Sequence, residues 1–598
     1  MEPSREAGVA SRPGRGIRGA ALVAPLALVA VLVAQRLASP DDFDGLDQAK
    51  TSLYALDIVR NGRWLVPLER GVDPMTKPPL QPWLAAAAAH ALGGPTELAM
   101  RVPSLAAAAG VALLTLLLGR RLGGPRLGAL AVVVLASNFL FVKLAALARP
   151  DMLHAFFATL ALFLAARAVE REEARAQAGR RARPGSGDAA ARRLWLGAFG
   201  AVGAAGLAKS PASLAILVVA LLVFAAISGD GRARLRRIPW IAGLALAATV
   251  VLAWLVPAVL SDERLADILF RRELARHALD EEKRRPALYL VPHFLQKFLP
   301  WSVVLLVAGA AGLRRAVRRR VSPARASGLP APVLAGAAPA DLLPPWAVRL
   351  CGSFVVATLV VFSVPAGKRS DYVLPLWPAA SLLAAHLVLA GPGRGAVRAT
   401  AVATAAAAGL LAASAALVPG ATLDLVLPAP YPQVLATHRL AIAAVLCGTC
   451  GLGLAGALLA RARPALAATA LALGCAGVVG LDFACLSPSA TSGRGAAVRR
   501  FCARTTARVP DAGSSPTVLV SSDVTNAVVF FLGRAEPTVA AAALAARVRR
   551  GETRFVVTGP AGRAALEGDG LRLDEVDRTE PFAGGGRGES YLLAVPSP

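Results

Sequence analysis

The chain has 598 residues, 56% of them hydrophobic, with a formal charge of +27 and a mean hydropathy of +0.56. That is too apolar for a soluble protein of this size, and apolar runs of about 18 residues or more recur, each able to cross a hydrocarbon core of about 30 Å. The charge does not mark a nucleic-acid partner: many Arg sit in short loops between apolar runs, the positive-inside pattern, and no soluble basic domain with interleaved aromatics is present.

Taken in chain order, the predicted elements begin with a cytoplasmic tail, residues 1–19, carrying four Arg. Ala20–Ala34 reads as a retained first helix, because no small-x-small cleavage site precedes the next polar loop. That loop, residues 40–80, lies on the outer side. The stretch Asp47–Trp83 carries nine charged residues, a Gly62-Arg63-Trp64 turn and a Lys77-Pro78-Pro79 corner. Leu80–Leu92, marked by Trp83 and His90, is too short to span and reads as membrane-lying or re-entrant. Crossings are then expected at Leu98–Leu118, Leu127–Val142, Met152–Val169, Leu194–Leu207, Pro211–Ile227, Ile238–Leu260 and Leu288–Leu313. After a Pro/Ala-rich cytoplasmic linker, residues 314–345, they continue at Trp346–Val364, Tyr372–Leu389, Ala399–Val418, Leu440–Ala460 and Ala465–Cys485. The expected fold is an all-α polytopic membrane domain, residues 20–487, with about 13 transmembrane helices.

Residues 488–598 change character. TVLVSSD, ETRFVVTGP and ESYLLAVP are strand-like, and Thr538–Val548 and Gly562–Glu567 look helical. A small extracytoplasmic α/β domain with a modest core is expected, leaning on the membrane part. The six cysteines do not make a disulfide framework. Cys447 and Cys450 form a CxxC, but inside one apolar helical run, where small packing residues are the simpler reading.

The alternation places six polar loops on one outer face. Together they gather Asp47, Lys77, Asp151, Lys209, Arg276, Lys368 and Arg369. Charge that orientation does not require usually has a local task. A lipid-linked phosphate needs Lys or an Arg fork to neutralise it, and a neighbouring carboxylate can act as general base toward an acceptor hydroxyl. On these residues alone, a set of ion pairs that simply holds the loops together is an equally good reading.

The stretch around Asp47, Gly62-Arg63-Trp64, Pro67 and Lys77-Pro78-Pro79 resembles the first outer loop of the ArnT-like lipid-linked sugar transferases. These are relatives of the protein O-mannosyltransferases in glycosyltransferase family 39. Asp41, Asp42 and Asp44 lie close by, and it is the spacing to Gly62 that selects Asp47. Arg101-Val102-Pro103-Ser104, Arg149-Pro150-Asp151, Gly206-Leu207-Ala208-Lys209-Ser210-Pro211, Pro300-Trp301 and Lys368-Arg369-x-x-Tyr372-x-x-Pro375 come next, in the family's order. The likeness covers roughly residues 20–390.

The resemblance implies a GT-C type fold and an inverting transfer of a hexosyl or pentosyl group from a polyprenyl-phosphate carrier. The acceptor would be lipid A, a surface glycan or a protein, on the extracytoplasmic side of a bacterial inner membrane. It implies Asp47 as the catalytic carboxylate and Lys77 as the ligand of the carrier phosphate. Lys209, Arg276 and Lys368 or Arg369 would add phosphate stabilisation, Tyr372 would belong to the substrate site, and Asp151 would position the acceptor or pair with a cation. The chain departs from the family at Gln48, where a Glu is usual, and at Thr76, where some members have an acidic residue. Without that residue His277 makes a poor metal site, and no metal ligands are assigned. The main alternative is a transporter or flippase without chemistry; the lack of a twofold repeat and the placement of charges at span ends weigh against it. An assembly subunit that keeps the fold without activity is a second alternative, which Gln48 keeps open.

Overall fold

The computed structural model describes residues 15–38, 43, 47–178, 188–272, 284–307, 309–310, 314, 342–391, 393–417, 431–486, 494–509, 518–535, 537–553, 555–580 and 591–597. The chain is a multi-pass membrane protein. Among the described residues, eight helices are long and apolar enough to cross a membrane, or nine if one bent pair counts as a span.

The first part runs α1 (Arg15–Ala38), α2 (Gln48–Asn61), α3 (Leu80–Ala91), α4 (Glu97–Ala136), α5 (Phe139–Ala145), α6 (Asp151–Ala178), α7 (Ala189–Ala208) and α8 (Ala212–Ala226). At 1.5 Å per residue α4 would be about 60 Å long, twice a hydrocarbon core. It holds the crossing expected at Leu98–Leu118 and the first part of that expected at Leu127–Val142, which stops at Ala136, because Gly123 and Gly124 leave helical backbone geometry and turn the chain. Its two arms then touch: a Cβ on Gly119 would lie 2.6 Å from the Cα of Gly128. α3 has 12 residues, about 18 Å of helix, and packs Ala85, Ala86 and Ala89 into a core shared with α2.

One expected crossing is corrected. Leu288–Leu313 is not a straight helix: Leu290–Lys297 and Trp301–Val307 meet at 114°. Pro300 supplies the break, since proline lacks the N–H a continuing helix needs and disfavours helical geometry in the residue before it. The bend is held by a buried aromatic stack in which Trp377 lies 5.7 Å from Phe294 and 5.1 Å from Phe298. Trp301 Nε1 donates to Ser137 Oγ at 2.9 Å, and Asn138 Nδ2 donates to the Lys297 carbonyl at 2.6 Å. This packing fixes Lys297 at the end of the bundle that carries Asp47.

Between α2 and α3 a short hairpin forms, β1 (Leu68–Glu69) against β2 (Asp73–Pro74). Its turn has positive φ at both Arg70 (52°) and Gly71 (69°), closed by Val72 N–H on the Glu69 carbonyl at 3.0 Å. Positive φ at both central residues makes Glu69–Val72 a primed β-turn, set in a three-residue loop between the paired Glu69 and Asp73. Glycine takes that conformation freely, whereas an arginine there costs about 1–2 kcal/mol.

The C-terminal domain has a four-stranded sheet in the order β3 (Val518–Val520), β4 (Phe555–Thr558), β6 (Leu592–Ser597), β5 (Arg572–Arg578). β3 and β4 are parallel, and β6 is antiparallel to both its neighbours. Three strands and the helices Ala541–Arg549 and Pro560–Gly568 fall where the sequence places them. β5, Arg494–Arg508 and Asn526–Phe531 are additional. At the carboxyl ends of β3 and β4, Asp523 accepts from Gly559 N at 3.2 Å and Gly562 N at 2.9 Å. The helix N-terminus that such a crevice can offer to phosphate is thus capped by the protein's own carboxylate. The domain shares a buried core with α2: Phe43 packs at 4.9 Å from Phe530 and 5.6 Å from Phe531, and Phe501 joins Leu53 and Leu56 in one cluster.

Candidate active site

Asp47 caps α2 in left-handed geometry, φ 63° and ψ 17°. Strained backbone of this kind persists where its surroundings over-determine it. Here Thr51 Oγ1 donates to the Asp47 carbonyl at 3.0 Å and Ser52 Oγ to the Gln48 carbonyl at 2.9 Å. The Asp47 carboxylate is half-exposed and accepts from an Arg369 guanidinium nitrogen at 3.0 Å. Partial burial works to raise its pKa, but Lys77, Arg369 and Arg149 outweigh that and hold it below the usual carboxylate value. Gln48, next in the chain, is fully buried and accepts from Ala148 N at 3.1 Å. A neutral amide fits that dry position, where a carboxylate would lose its hydration.

Lys77 comes just after the hairpin. Thr76 N–H donates to the Tyr54 hydroxyl at 3.3 Å, which seats the strand end against α2. Among the described residues the Lys77 ammonium makes no hydrogen bond or ion pair. Burial lowers its pKa below the ordinary lysine value; Lys209 and Arg149 push the same way, and Asp47 and Asp151 oppose them. Asp47 and Lys77 therefore face each other electrostatically, and only the carboxylate has a fixed partner among the described residues.

Beside them is a buried ion network. Asp151 begins α6 and Lys209 ends α7, so each charge sits at the helix terminus whose dipole it complements. They pair at 2.8 Å. Arg149 binds Asp151 at 3.0 Å and Asp371 at 3.3 Å, and Lys297 binds Asp371 at 3.2 Å and Ser370 Oγ at 2.7 Å. Lys209 Nζ stands 4.5 Å over the Tyr372 ring. Among the described residues, the cations Lys77, Lys143, Arg149, Lys209, Lys297 and Arg369 thus outnumber the carboxylates Asp47, Asp151 and Asp371 that they interact with.

The structure accordingly gathers Asp47, Lys77, Asp151, Lys209, Arg369 and Tyr372. It places Lys368 aside: that residue is buried and donates to the Arg285 carbonyl at 3.0 Å. Arg276 lies outside the described residues. Sequence reasoning missed Asp371 and Lys297 and did not assign Arg149. Arg149 stood in the Arg-Pro-Asp motif and Asp371 inside the Lys368–Pro375 motif, while nothing in the sequence pointed to Lys297.

Comparison with known proteins bears on the fold that carries this site. Residues 76–179 match the family described as dolichyl-phosphate-mannose-protein mannosyltransferase. ArnT from Cupriavidus metallidurans, crystallised with undecaprenyl phosphate, superposes with a TM-score of 0.70 at 17% identity, over 97% of this chain and 98% of that one. The chain has the ArnT fold. The apo form of the same ArnT gives 0.69 at 17% identity, over 96% and 98%. An uncharacterized protein of Aquifex aeolicus is 31% identical over 111 residues, which are 18% of this chain and 22% of that protein. The chain therefore spans about a fifth of the curated relative it matches.

On this ArnT-type scaffold a cavity of about 570 Å³ adjoins the ion network. Lys297 and Ser370 line its polar part, and Phe139, Leu299, Val478 and Val479 its apolar part. Among the described residues no site for a divalent metal is evident, and His277 lies outside them. No three His, Cys, Asp or Glu side chains converge among the described residues, and Asp47, Asp151 and Asp371 are each already bound by Arg or Lys.

Proposed function

We propose that this protein is a membrane glycosyltransferase that moves a sugar from a polyprenyl-phosphate carrier to an extracytoplasmic acceptor, with inversion at the anomeric carbon. The membrane would be a bacterial inner membrane, and the acceptor lipid A, a surface glycan or a protein. The observation that carries this reading is the Lys77 ammonium: it has no hydrogen-bond or ion-pair partner among the described residues and faces Asp47 within a cluster whose cations outnumber its carboxylates. That is the electrostatics a carrier phosphate requires.

In the transfer, the acceptor oxygen attacks the anomeric carbon while the bond from that carbon to the phosphate oxygen breaks. The bonding electrons leave with the phosphate, which departs as polyprenyl phosphate. Lys77 and Arg369 stabilise the charge that develops there, and Lys209 and Arg149 add a longer-range field. A carboxylate held below its usual range is a weak base, so Asp47 takes the proton late, once positive charge has built on the attacking oxygen. If the acceptor is already an anion, Asp47 orients it and no proton moves. The cavity beside Lys297 gives a hydrocarbon chain somewhere to lie.

The test is turnover of a radiolabelled polyprenyl-phosphate sugar by the purified protein in nanodiscs. Lys77→Ala should raise the donor KM by about 10- to 100-fold, the loss of a charge-assisted contact. Lys77→Arg should bind donor but change the pH profile. In the wild type Lys77 loses its proton at lower pH than an ordinary lysine, so activity falls early on the alkaline side. Arginine stays charged throughout, and the alkaline limb should move up. An unchanged donor KM in Lys77→Ala would remove Lys77 from the phosphate site. Absence of wild-type turnover, with lipid-linked sugar crossing sealed vesicles, would favour transport instead.

A further inference from the structure

Arg70 is an oddity: an arginine held at positive φ in a turn that favours glycine. Its side chain accounts for it. Nε donates to Asn526 Oδ1 at 2.6 Å, and the two terminal nitrogens donate to the Ser522 carbonyl at 2.9 Å and the Val524 carbonyl at 2.8 Å. All three acceptors belong to the C-terminal domain. Asn526 reaches back, with Nδ2 donating to Glu69 Oε1 at 2.9 Å, and the other Glu69 oxygen pairs with Lys50 of α2 at 2.9 Å. On its other side the hairpin is pinned to α2 by Leu68 N–H donating to buried Asp57 at 2.9 Å. The strand β2 ends at Pro74, three residues before Lys77, and Lys50 lies one helical turn from Asp47.

We infer that Arg70 is a positioning residue for the transfer reaction, through which the C-terminal domain sets Lys77 against Asp47. The inference rests on the proposed function for its consequence in catalysis, but the clamp itself is independent of it. The domain is then a working part of the active site. The three-point fork explains why an arginine is kept where a glycine would relax the backbone: no other side chain reaches three acceptors in a fixed plane.

The informative variant is Arg70→Gly in the full-length protein. Glycine preserves the turn and removes only the fork, so the hairpin keeps its shape while its attachment to the domain is cut. Turnover should fall by about 10- to 100-fold, the range expected when a reacting group shifts by about 1 Å. Arg70→Lys should restore little of it, and Asn526→Ala should lose a smaller part. Arg500→Ala, which removes an exposed pair with Glu580 on the same domain, should behave as wild type.

A second readout separates this idea from the transferase reading. The pH dependence of acetic anhydride labelling at Lys77, read by mass spectrometry, reports its protonation without any substrate. Burial, Lys209 and Arg149 lower that pKa while Asp47 and Asp151 raise it. Releasing the hairpin admits water, so in Arg70→Gly the labelling midpoint should move upward. A merely structural fork would lower yield or melting temperature and leave the midpoint unchanged. An unchanged midpoint in a folded Arg70→Gly protein overturns the clamp whether or not transfer is observed, whereas a shifted midpoint with an inactive wild type upholds the clamp and rejects the transferase.

Discussion

Asp47→Asn should lower transfer by about 10²–10⁴-fold, the usual worth of a positioned acid or base, while leaving the protein folded. Asparagine is among the residues that tolerate left-handed backbone best, so the cap of α2 survives. The pair with Arg369 is nearly half-exposed on both sides, 44% and 45%, and exposed pairs contribute at most about 1 kcal/mol. The donor KM should stay level or fall, because one negative charge is withdrawn from beside Lys77. A drop in turnover without weaker donor binding is the signature of a group acting in the chemical step. Equal turnover of Asp47→Asn and wild type would sink the assignment.

Asp151→Asn should act on both stability and activity. Its side chain is only 3% exposed and that of Arg149 only 5%, and Lys209 is mostly covered. Removing one partner of a buried ion pair costs about 3–5 kcal/mol, because the remaining charge is left without compensation. Arg149 retains Asp371, so most of the loss falls on Lys209. Asp151→Asn combined with Lys209→Met should regain part of the stability, since neither buried charge then lacks its partner, but none of the turnover. Thermal unfolding in detergent measures the first effect and the transfer assay the second. A single variant as stable as wild type would show that Asp151 is better solvated than its burial implies.

Asp47, Lys77, Asp151 and Lys209 were legible because each lies in a short motif, marked by nearby Pro, Trp or Gly, that resembles the family's. Lys297 was not. It lies in a run apolar enough to read as a straight crossing, and what brings it to Asp371 is the bend at Pro300, held by Phe298 stacked on the distant Trp377. The same limit hid β5. Its RLDEVDR sequence has no apolar alternation, and it exists because β6 supplies the ladder. The long α4 shows the reverse case: Arg120, Arg121 and Arg126 separate two apolar runs in the sequence, and the structure breaks the helix between them, at Gly123 and Gly124.

The excess of cations over carboxylates also bears on the fate of the carrier in the proposed transfer, once the sugar has left it. A donor phosphodiester brings one negative charge, whereas the emptied carrier is a phosphomonoester with about 1.5 to 2 at neutral pH. A site with excess positive charge would hold the emptied carrier more tightly than the loaded one. In the proposed transfer, turnover would then be paced by release of the used lipid, and free carrier in the bilayer would act as a brake, tightening when recycling slows and easing when it resumes.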